Sequence, residues 1–356
     1  MHTLALVLPG DPATPTGGYE YDRRIVAGLR ALGWAVTVHA LDASFPAPTP
    51  ASRAAARDAF ARLPDGATVL VDGLALGVLP EVAAAEARRL RLVALVHHPL
   101  ADETGLEPGR AEALRRSEAQ ALAAVRFVVT TSGTTARGLA CYGVPPERIA
   151  VIEPGIDPAP LAAGSDGPGV ALLCVAAVVP RKGHAVLIDA LSGLADRDWR
   201  LTCVGSLGRS PQTVAALEHR IAALGLTDRV TIRGAVDRAT LDACYAHADV
   251  FVLPTFHEGY GMALAEALAR GVPVVSTRAG AVPETVPPDA GLLVPPGDPA
   301  ALRDALARVL DDAALRARLA EGARRARARL PGWDAACARL AATLMTEPAN
   351  LEQLHD

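Results

Sequence analysis

With 356 residues, the chain exceeds what a single hydrophobic core usually organises, so two domains are expected. A hydrophobic fraction of 51% against 21% charged residues excludes a disordered chain. A net charge of −4, and 13 Phe, Tyr and Trp residues that nowhere interleave with basic runs, argue against nucleic acid as a partner.

The five cysteines, Cys141, Cys174, Cys203, Cys244 and Cys337, are spread too widely for a metal knuckle and are odd in number. They read as buried small hydrophobes in a reducing compartment. The start, Met1-His2-Thr3-Leu4, lacks the basic stretch, apolar core and cleavage site of a secretory signal, and a cytoplasmic protein is expected. The longest apolar run, Val170 to Val179, falls well short of the ~20 residues that span a bilayer and reads as a buried strand.

In chain order, short runs rich in Val, Leu and Ala predict strands near Thr3 to Leu8, Ala35 to Ala40, Ala67 to Val71, Leu92 to His97, Phe127 to Thr130 and Ala150 to Ile152. Segments of helical period fill most of the gaps, the pattern of a parallel sheet wrapped by helices. Turn formers then crowd Glu153 to Pro160 and Gly164 to Gly169, which marks an interdomain connection. A second series follows, with strands near Ala171 to Ala177, Arg200 to Val204, Val230 to Arg233, Val250 to Leu253, Pro273 to Ser276 and Gly291 to Val294. The arginine-rich run Arg316 to Arg329 reads as a solvated helix face, with peripheral membrane contact the less favoured alternative. A last helix-like stretch, Trp333 to Met345, comes too late for the second series and could pack on either domain. The expected fold is therefore α/β, with two doubly wound sheets.

Ligands of such sheets collect at the carboxyl ends of the strands, and four loops there carry unusual residues. After the first strand, Gly17 and Gly18 stand at the mouth of a helix, where backbone can approach a ligand and free N–H groups face an anion. His97-His98 ends the fourth strand, and His97 is preferred as the functional one because it directly terminates the run. The third loop holds the chain's one lysine, Lys182, against 34 arginines, next to Arg181 in Val178-Val179-Pro180-Arg181-Lys182-Gly183-His184. A mobile ammonium beside a guanidinium fork suits a diphosphate. In the fourth, Glu258-Gly259-Tyr260-Gly261-Met262 leads into Glu266, eight residues beyond Glu258 and about 12 Å away along a continuous helix at 1.5 Å per residue. That separation fits a sugar and a ribose on either side of a diphosphate, with the Gly259 to Met262 N–H groups facing the phosphates.

These residues, in this order, together with Gly271-Val272-Pro273-Val274-Val275, Gly280-Ala281-Val282-Pro283-Glu284 and Trp333 in a terminal helix, resemble the glycosyltransferase family 4 enzymes over nearly the whole chain. The resemblance implies a retaining enzyme of GT-B fold: two Rossmann-like domains facing a central cleft, with the C-terminal helix crossing back to the first. The first domain would then be 1–160 on the acceptor side, joined by a helix at about 332–350, and the nucleotide-sugar domain 161–331. It also implies that Arg181 and Lys182 bind the donor diphosphate, that Glu266 takes the ribose hydroxyls, and that Glu258 holds hydroxyls of the transferred sugar with the backbone of Gly259, Tyr260, Gly261 and Met262. Gly17 and Gly18 would approach the diphosphate, His97 would lie beside the sugar, and the Gly234-Ala235-Val236 turn would bring Val236 to the nucleobase. The catalytic set would be His97, Arg181, Lys182 and Glu258.

The expected reaction moves a hexose-type sugar from a UDP-sugar, or next a GDP-mannose, to a hydroxyl acceptor, with no cofactor and no required metal. The Asp196-Arg197-Asp198 run precedes its strand and so lies at the wrong end of the sheet for a donor metal. The acceptor is left open among a small metabolite, a lipid-linked sugar and a short glycan. A nicotinamide dehydrogenase is disfavoured because the first loop lacks Gly-x-Gly-x-x-Gly, and a P-loop because Gly183 follows Lys182. A two-domain module that binds a sugar or nucleotide without reacting is the non-enzyme alternative.

Overall fold

The computed structural model describes residues 1–167 and 169–346, so Pro168 of the expected connection and residues 347–350 of the expected terminal helix lie outside the described residues. The main chain divides into two compact units, one of Met1–Gly155 with the chain from Pro331, the other of Ile156–Leu330.

The first unit holds β1 (Thr3–Pro9), β2 (Ala35–Leu41), β3 (Thr68–Asp72), β4 (Arg91–Val96), β5 (Phe127–Thr130) and β6 (Ile149–Val151), all parallel, in the order β2-β1-β3-β4-β5-β6. The Val- and Leu-rich centre of this sheet is buried on both faces, as β4 shows from Leu92 to Val96, because helices cover each side. The edge strand β2 buries only Val36 and Leu41 and leaves Thr37, Val38 and Ala40 exposed. Strand pleating sends Ala5 and Val7 of β1 into one core and Leu4, Leu6 and Leu8 into the other.

The helix Trp333–Thr346 completes the second of these cores with Ala336, Cys337, Leu340, Ala341 and Leu344. Fully burying a leucine such as Leu340 contributes roughly 1.5–3 kcal/mol. It packs against the helix Gly17–Ala31 so closely that a Cβ on Gly28 would stand 2.2 Å from Cys337 Sγ. Trp333 meets the Tyr21 ring edge-on at 6.0 Å and lies under the Arg24 guanidinium at 5.6 Å.

The second unit holds β7 (Val170–Val175), β8 (Trp199–Val204), β9 (Val230–Arg233), β10 (Val250–Leu253), β11 (Val274–Thr277) and β12 (Gly291–Val294) in the parallel order β12-β11-β10-β7-β8-β9. Every expected strand forms within two residues of its expected bounds. The apolar run from Val170 is not all strand: β7 stops at Val175, and the chain leaves the sheet to reach a 3-10 turn at Pro180–Lys182, where proline can give no ladder donor. The arginine-rich run lies in the helix Ala313–Arg327, which buries Leu315, Leu319, Ala323 and Ala326 and leaves Arg324 and Arg325 half exposed. Among the described residues, no helix is long and apolar enough to cross a membrane.

Candidate active site

Doubly wound sheets open a crevice where neighbouring strands send their following chain in opposite directions. In the second unit that point lies between β7 and β10, adjacent in the sheet although 74 residues separate Arg181 from Thr255. The loops leaving these two strands carry Arg181-Lys182 and Glu258, and they are laced together. The Phe256 N–H donates to the Arg181 carbonyl at 2.7 Å, the Thr255 hydroxyl donates to the same carbonyl at 3.1 Å, and Arg181 Nη1 donates to the His257 carbonyl at 2.7 Å.

Two glycines permit the approach. Gly183 has φ +70°, and a Cβ there would fall 2.0 Å from the Pro254 carbonyl oxygen. Gly280, at φ +54°, lies against Glu258, where a Cβ would fall 2.2 Å from the Glu258 carbonyl oxygen, and the Ala281 N–H donates to that oxygen at 2.9 Å. The result is a direct ion pair: Lys182 Nζ to Glu258 Oε1 at 2.6 Å, with the side chains 18% and 8% exposed. Burial works against the charge of Glu258, but the Lys182 ammonium and Arg181 guanidinium override it and hold the carboxyl below its usual range.

Glu258 and Glu266 do not share a helix, contrary to the continuous-helix spacing expected from the sequence. The helix runs Met262–Ala269, and Gly261 precedes it in the left-handed region at φ 94°, which breaks the helical path across Gly259 and Tyr260. The Thr285 hydroxyl holds the Tyr260 carbonyl at 2.6 Å. Glu266 does find partners in its apolar helix: the Tyr245 hydroxyl donates to it at 3.0 Å and Arg238 Nη1 lies 3.6 Å away. Arg238 opens the helix that follows Val236, so the Val236 turn and Glu266 belong to one neighbourhood. Val236 itself is half-buried on the second-unit core.

In the first unit, the reversal lies between β1 and β3. Thr16 caps the helix Gly17–Ala31 by accepting from the Tyr19 N–H, and Arg23 Nη1 donates to the carbonyls of Pro12 and Thr14, which folds the glycine loop onto its helix. Gly18 touches the His97 ring, 3.4 Å from its Cδ2 to an added Cβ, and Tyr21 meets that ring edge-on at 5.4 Å. His97 follows β4 and sets Nε2 3.5 Å from Asp22 Oδ1 and 3.6 Å from Asp72 Oδ2. His98 points elsewhere, its Nε2 3.8 Å from Glu103 Oε2.

Sequence reasoning missed Asp22 and Asp72, both about 2% exposed. Asp72 ends β3 and accepts from the Leu74 N–H at 2.7 Å. Burial would lower the His97 imidazole, but the Asp22 carboxylate beside it and the charge of Asp72 raise it above its ordinary value. Burial first, then repulsion from Asp22, pushes Asp72 up to about 7. The signal available in sequence was a carboxylate ending an apolar strand, at Val69-Leu70-Val71-Asp72. The arrangement lets an imidazole hold or give a proton between two carboxylates. Its three ligand atoms lie within 4.8 Å of one another, close enough for one cation, but an imidazolium there balances the same charge.

Three of the five cysteines are buried as expected, whereas Cys141 is exposed and Cys244 only half-buried. Although the cysteines are too widely spread in sequence for a metal knuckle, Cys174 and Cys203 face each other across β7 and β8. The Asp196-Arg197-Asp198 run is a surface ion-pair group in which Arg197 binds Asp311 and Asp196.

The chain is similar to known proteins in sequence and in fold. A family model for glycosyl transferases group 1 matches residues 163–326, and one for glycosyltransferase family 4 matches residues 70–160. A D-inositol 3-phosphate glycosyltransferase from Xylanimonas cellulosilytica is 35% identical over 243 residues, 63% of this chain and 57% of that protein. An MMP alpha-(1->4)-mannosyltransferase from Mycolicibacterium hassiacum is 31% identical over 267 residues, 70% of this chain and 64% of that protein. The chain thus spans less than two thirds of the length of these relatives. Among solved structures, sucrose-phosphate synthase from Thermosynechococcus elongatus superposes with a TM-score of 0.84 at 22% identity, covering 97% of this chain and 98% of its own. Anabaena HepE in complex with UDP-glucose gives a TM-score of 0.76 at 20% identity, covering 96% and 99%. Both share the fold.

Proposed function

We propose that the chain acts as a glycosyltransferase of the family 4 type, moving a hexose-type sugar from a nucleoside-diphosphate sugar to a hydroxyl acceptor. The observation that carries this reading is the joining of Arg181, Lys182 and Glu258 at the β7–β10 reversal. A lysine ammonium paired with a carboxylate, and a guanidinium bonded to the His257 carbonyl, at the ligand-binding edge of a doubly wound sheet suit a diphosphate with a hydroxylated group attached. In this reading Arg181 and Lys182 stabilise the leaving diphosphate, where most of the charge develops. The Lys182 ammonium divides itself between that diphosphate and Glu258, while Glu258 aligns sugar hydroxyls. Glu266 takes the ribose hydroxyls, Val236 the base, and Gly259 to Met262 close the pocket with backbone.

The unit Met1–Gly155 with the terminal helix serves the acceptor, and the unit Ile156–Leu330, which begins five residues before the expected 161–331, serves the donor. Gly17 and Gly18 approach the diphosphate, and His97, held by Asp22 and Asp72, binds the sugar. Transfer proceeds with retention and without a required metal. A UDP-sugar is the first donor to test, supported by the UDP-glucose complex of the fold relative HepE, and GDP-mannose the second, supported by the mannosyltransferase relative.

The test is a mass-spectrometric screen of UDP-, GDP- and ADP-sugars against small-molecule extract of the source cell. Release of nucleoside diphosphate together with a new hexose adduct is expected. Nucleotide-sugar binding with neither transfer nor hydrolysis would leave a binding module instead.

A further inference from the structure

Beneath the loop that carries Lys182, in the second unit, two strands and a helix bring together residues that the donor site does not use. Cys174 on β7 and Cys203 on β8 are direct cross-strand partners, so parallel pairing sends both thiols to the same face. His184 is the first residue of the helix His184–Ser192, entered through the left-handed Gly183, and the start of that helix lies over the same face. Cys174 Sγ and His184 Nε2 are 3.7 Å apart, and the three ligand atoms all lie within 4.8 Å of one another. All three side chains are buried, at 0%, 3% and 3% exposure, and His184 Nδ1 has no hydrogen-bond partner among the described residues.

We propose that Cys174, His184 and Cys203 form a binding site for one thiophilic divalent cation of the zinc type. With Zn–S near 2.3 Å and Zn–N near 2.0–2.1 Å, two ligands of one trigonal or tetrahedral ion stand roughly 3.6–3.8 Å apart, which is the separation of Cys174 Sγ and His184 Nε2. Two thiolates, one neutral imidazole and one divalent ion sum to zero charge, and a neutral assembly is what so dry a site tolerates. Each thiol gives up its proton as its sulfur–metal bond forms, so binding releases two protons to solvent and changes no oxidation state. The ion ties β7 and β8 to a helix that begins two residues after Lys182, and its occupancy therefore bears on the loop that holds the ammonium.

The probe is Cd²⁺, titrated into the reduced, chelator-stripped full chain and followed by sulfur-to-cadmium charge-transfer absorption, with stoichiometry from equilibrium dialysis. One Cd²⁺ per chain is expected, displaced by Zn²⁺, with two protons released. Cys174→Ser, Cys203→Ser and His184→Gln should each weaken binding roughly 10-fold or more, the loss that even an outer-shell partner can cause. Cys141→Ser, at an exposed position, should change nothing. X-ray absorption of the zinc-loaded native chain needs no variant to fold, and it should show two sulfurs and at least one nitrogen around the metal. A shell without two sulfurs, no charge-transfer band at one equivalent, or undiminished affinity in a folded Cys174→Ser/Cys203→Ser double variant would overturn the proposal.

Discussion

Gly183→Ala tests how tightly the two halves of the donor loop pair are held. Two costs arise there. An alanine in the left-handed region costs about 1–2 kcal/mol. Its Cβ would also stand 2.0 Å from the Pro254 carbonyl oxygen, against about 3.3 Å for a close carbon–oxygen approach, an overlap of about 1.3 Å. The neighbour is backbone at the end of β10 and cannot rotate aside, so relief requires the Lys182 loop and the Glu258 loop to separate. Overpacking of this kind typically adds about 1–3 kcal/mol, for a total near 2–5 kcal/mol. Gly225→Ala supplies the control in the same unit: its φ is +67° and nothing lies within 4 Å of the added Cβ, so it bears only the first cost.

Urea unfolding of the two variants and the parent, at equal m, should rank them parent, Gly225→Ala, Gly183→Ala. Calorimetric titration with UDP and GDP should show weakened binding in Gly183→Ala alone. Turnover should fall about 100-fold in that variant, as a misplacement near 1 Å can cause. If Gly183→Ala matches Gly225→Ala within about 0.5 kcal/mol and binds nucleotide like the parent, the steric argument is wrong.

Lys182→Arg keeps the charge but places a wider planar fork where the ammonium is only 18% exposed, and donor KM should rise about 10-fold or more; near-normal turnover at low donor would remove the distinction between the two cations. Glu258→Ala frees Lys182 from its partner, so transfer should fall about 100-fold while nucleoside diphosphate affinity holds or tightens, and an equal loss in both measurements would misplace Glu258. Asp72 is held near 7, above its ordinary 3.8, so the folded chain keeps a proton that the unfolded chain releases, and its contribution to stability is lost as pH rises across that interval. His97 acts in the same direction: its folded value is raised, so its stabilisation is complete below about 6.5 and fades as pH climbs through the folded value. Asp72→Asn should therefore flatten the dependence of the urea midpoint on pH between about 4 and 7, and an unchanged slope would contradict the assigned proton.

The strands were legible because each is a short Val- and Leu-rich run bounded by turn formers, and in a sheet buried on both faces that run needs no alternation to be recognised. The loops at their carboxyl ends could be read for the same reason, once the strands were located. Strand order was not legible, and it decides which loops meet. Asp22 lies on a helix and Asp72 ends a strand 50 residues later, and only the adjacency of β1, β3 and β4 brings both to His97. Register was equally hidden: nothing local says that Cys174 pairs with Cys203 and not with a neighbour one residue away on the other face. The helical reading of Glu258 to Glu266 failed at Gly261, whose positive φ is a freedom glycine permits but does not announce.

The helix Trp333–Thr346 carries a consequence for the order of assembly during synthesis. Five of its residues complete a core whose other members begin at Leu4, and its seat against Gly28 is so close that a Cβ there would meet Cys337. Domains usually fold as the ribosome releases them, amino-terminal first. Here the unit that emerges first waits with one face uncovered until the helix emerges, while Ile156–Leu330, a continuous stretch, can finish before it. Until the helix docks, Leu4, Leu6, Ile25 and Leu29 lack the apolar cover that Leu340 and Leu344 supply in the finished core.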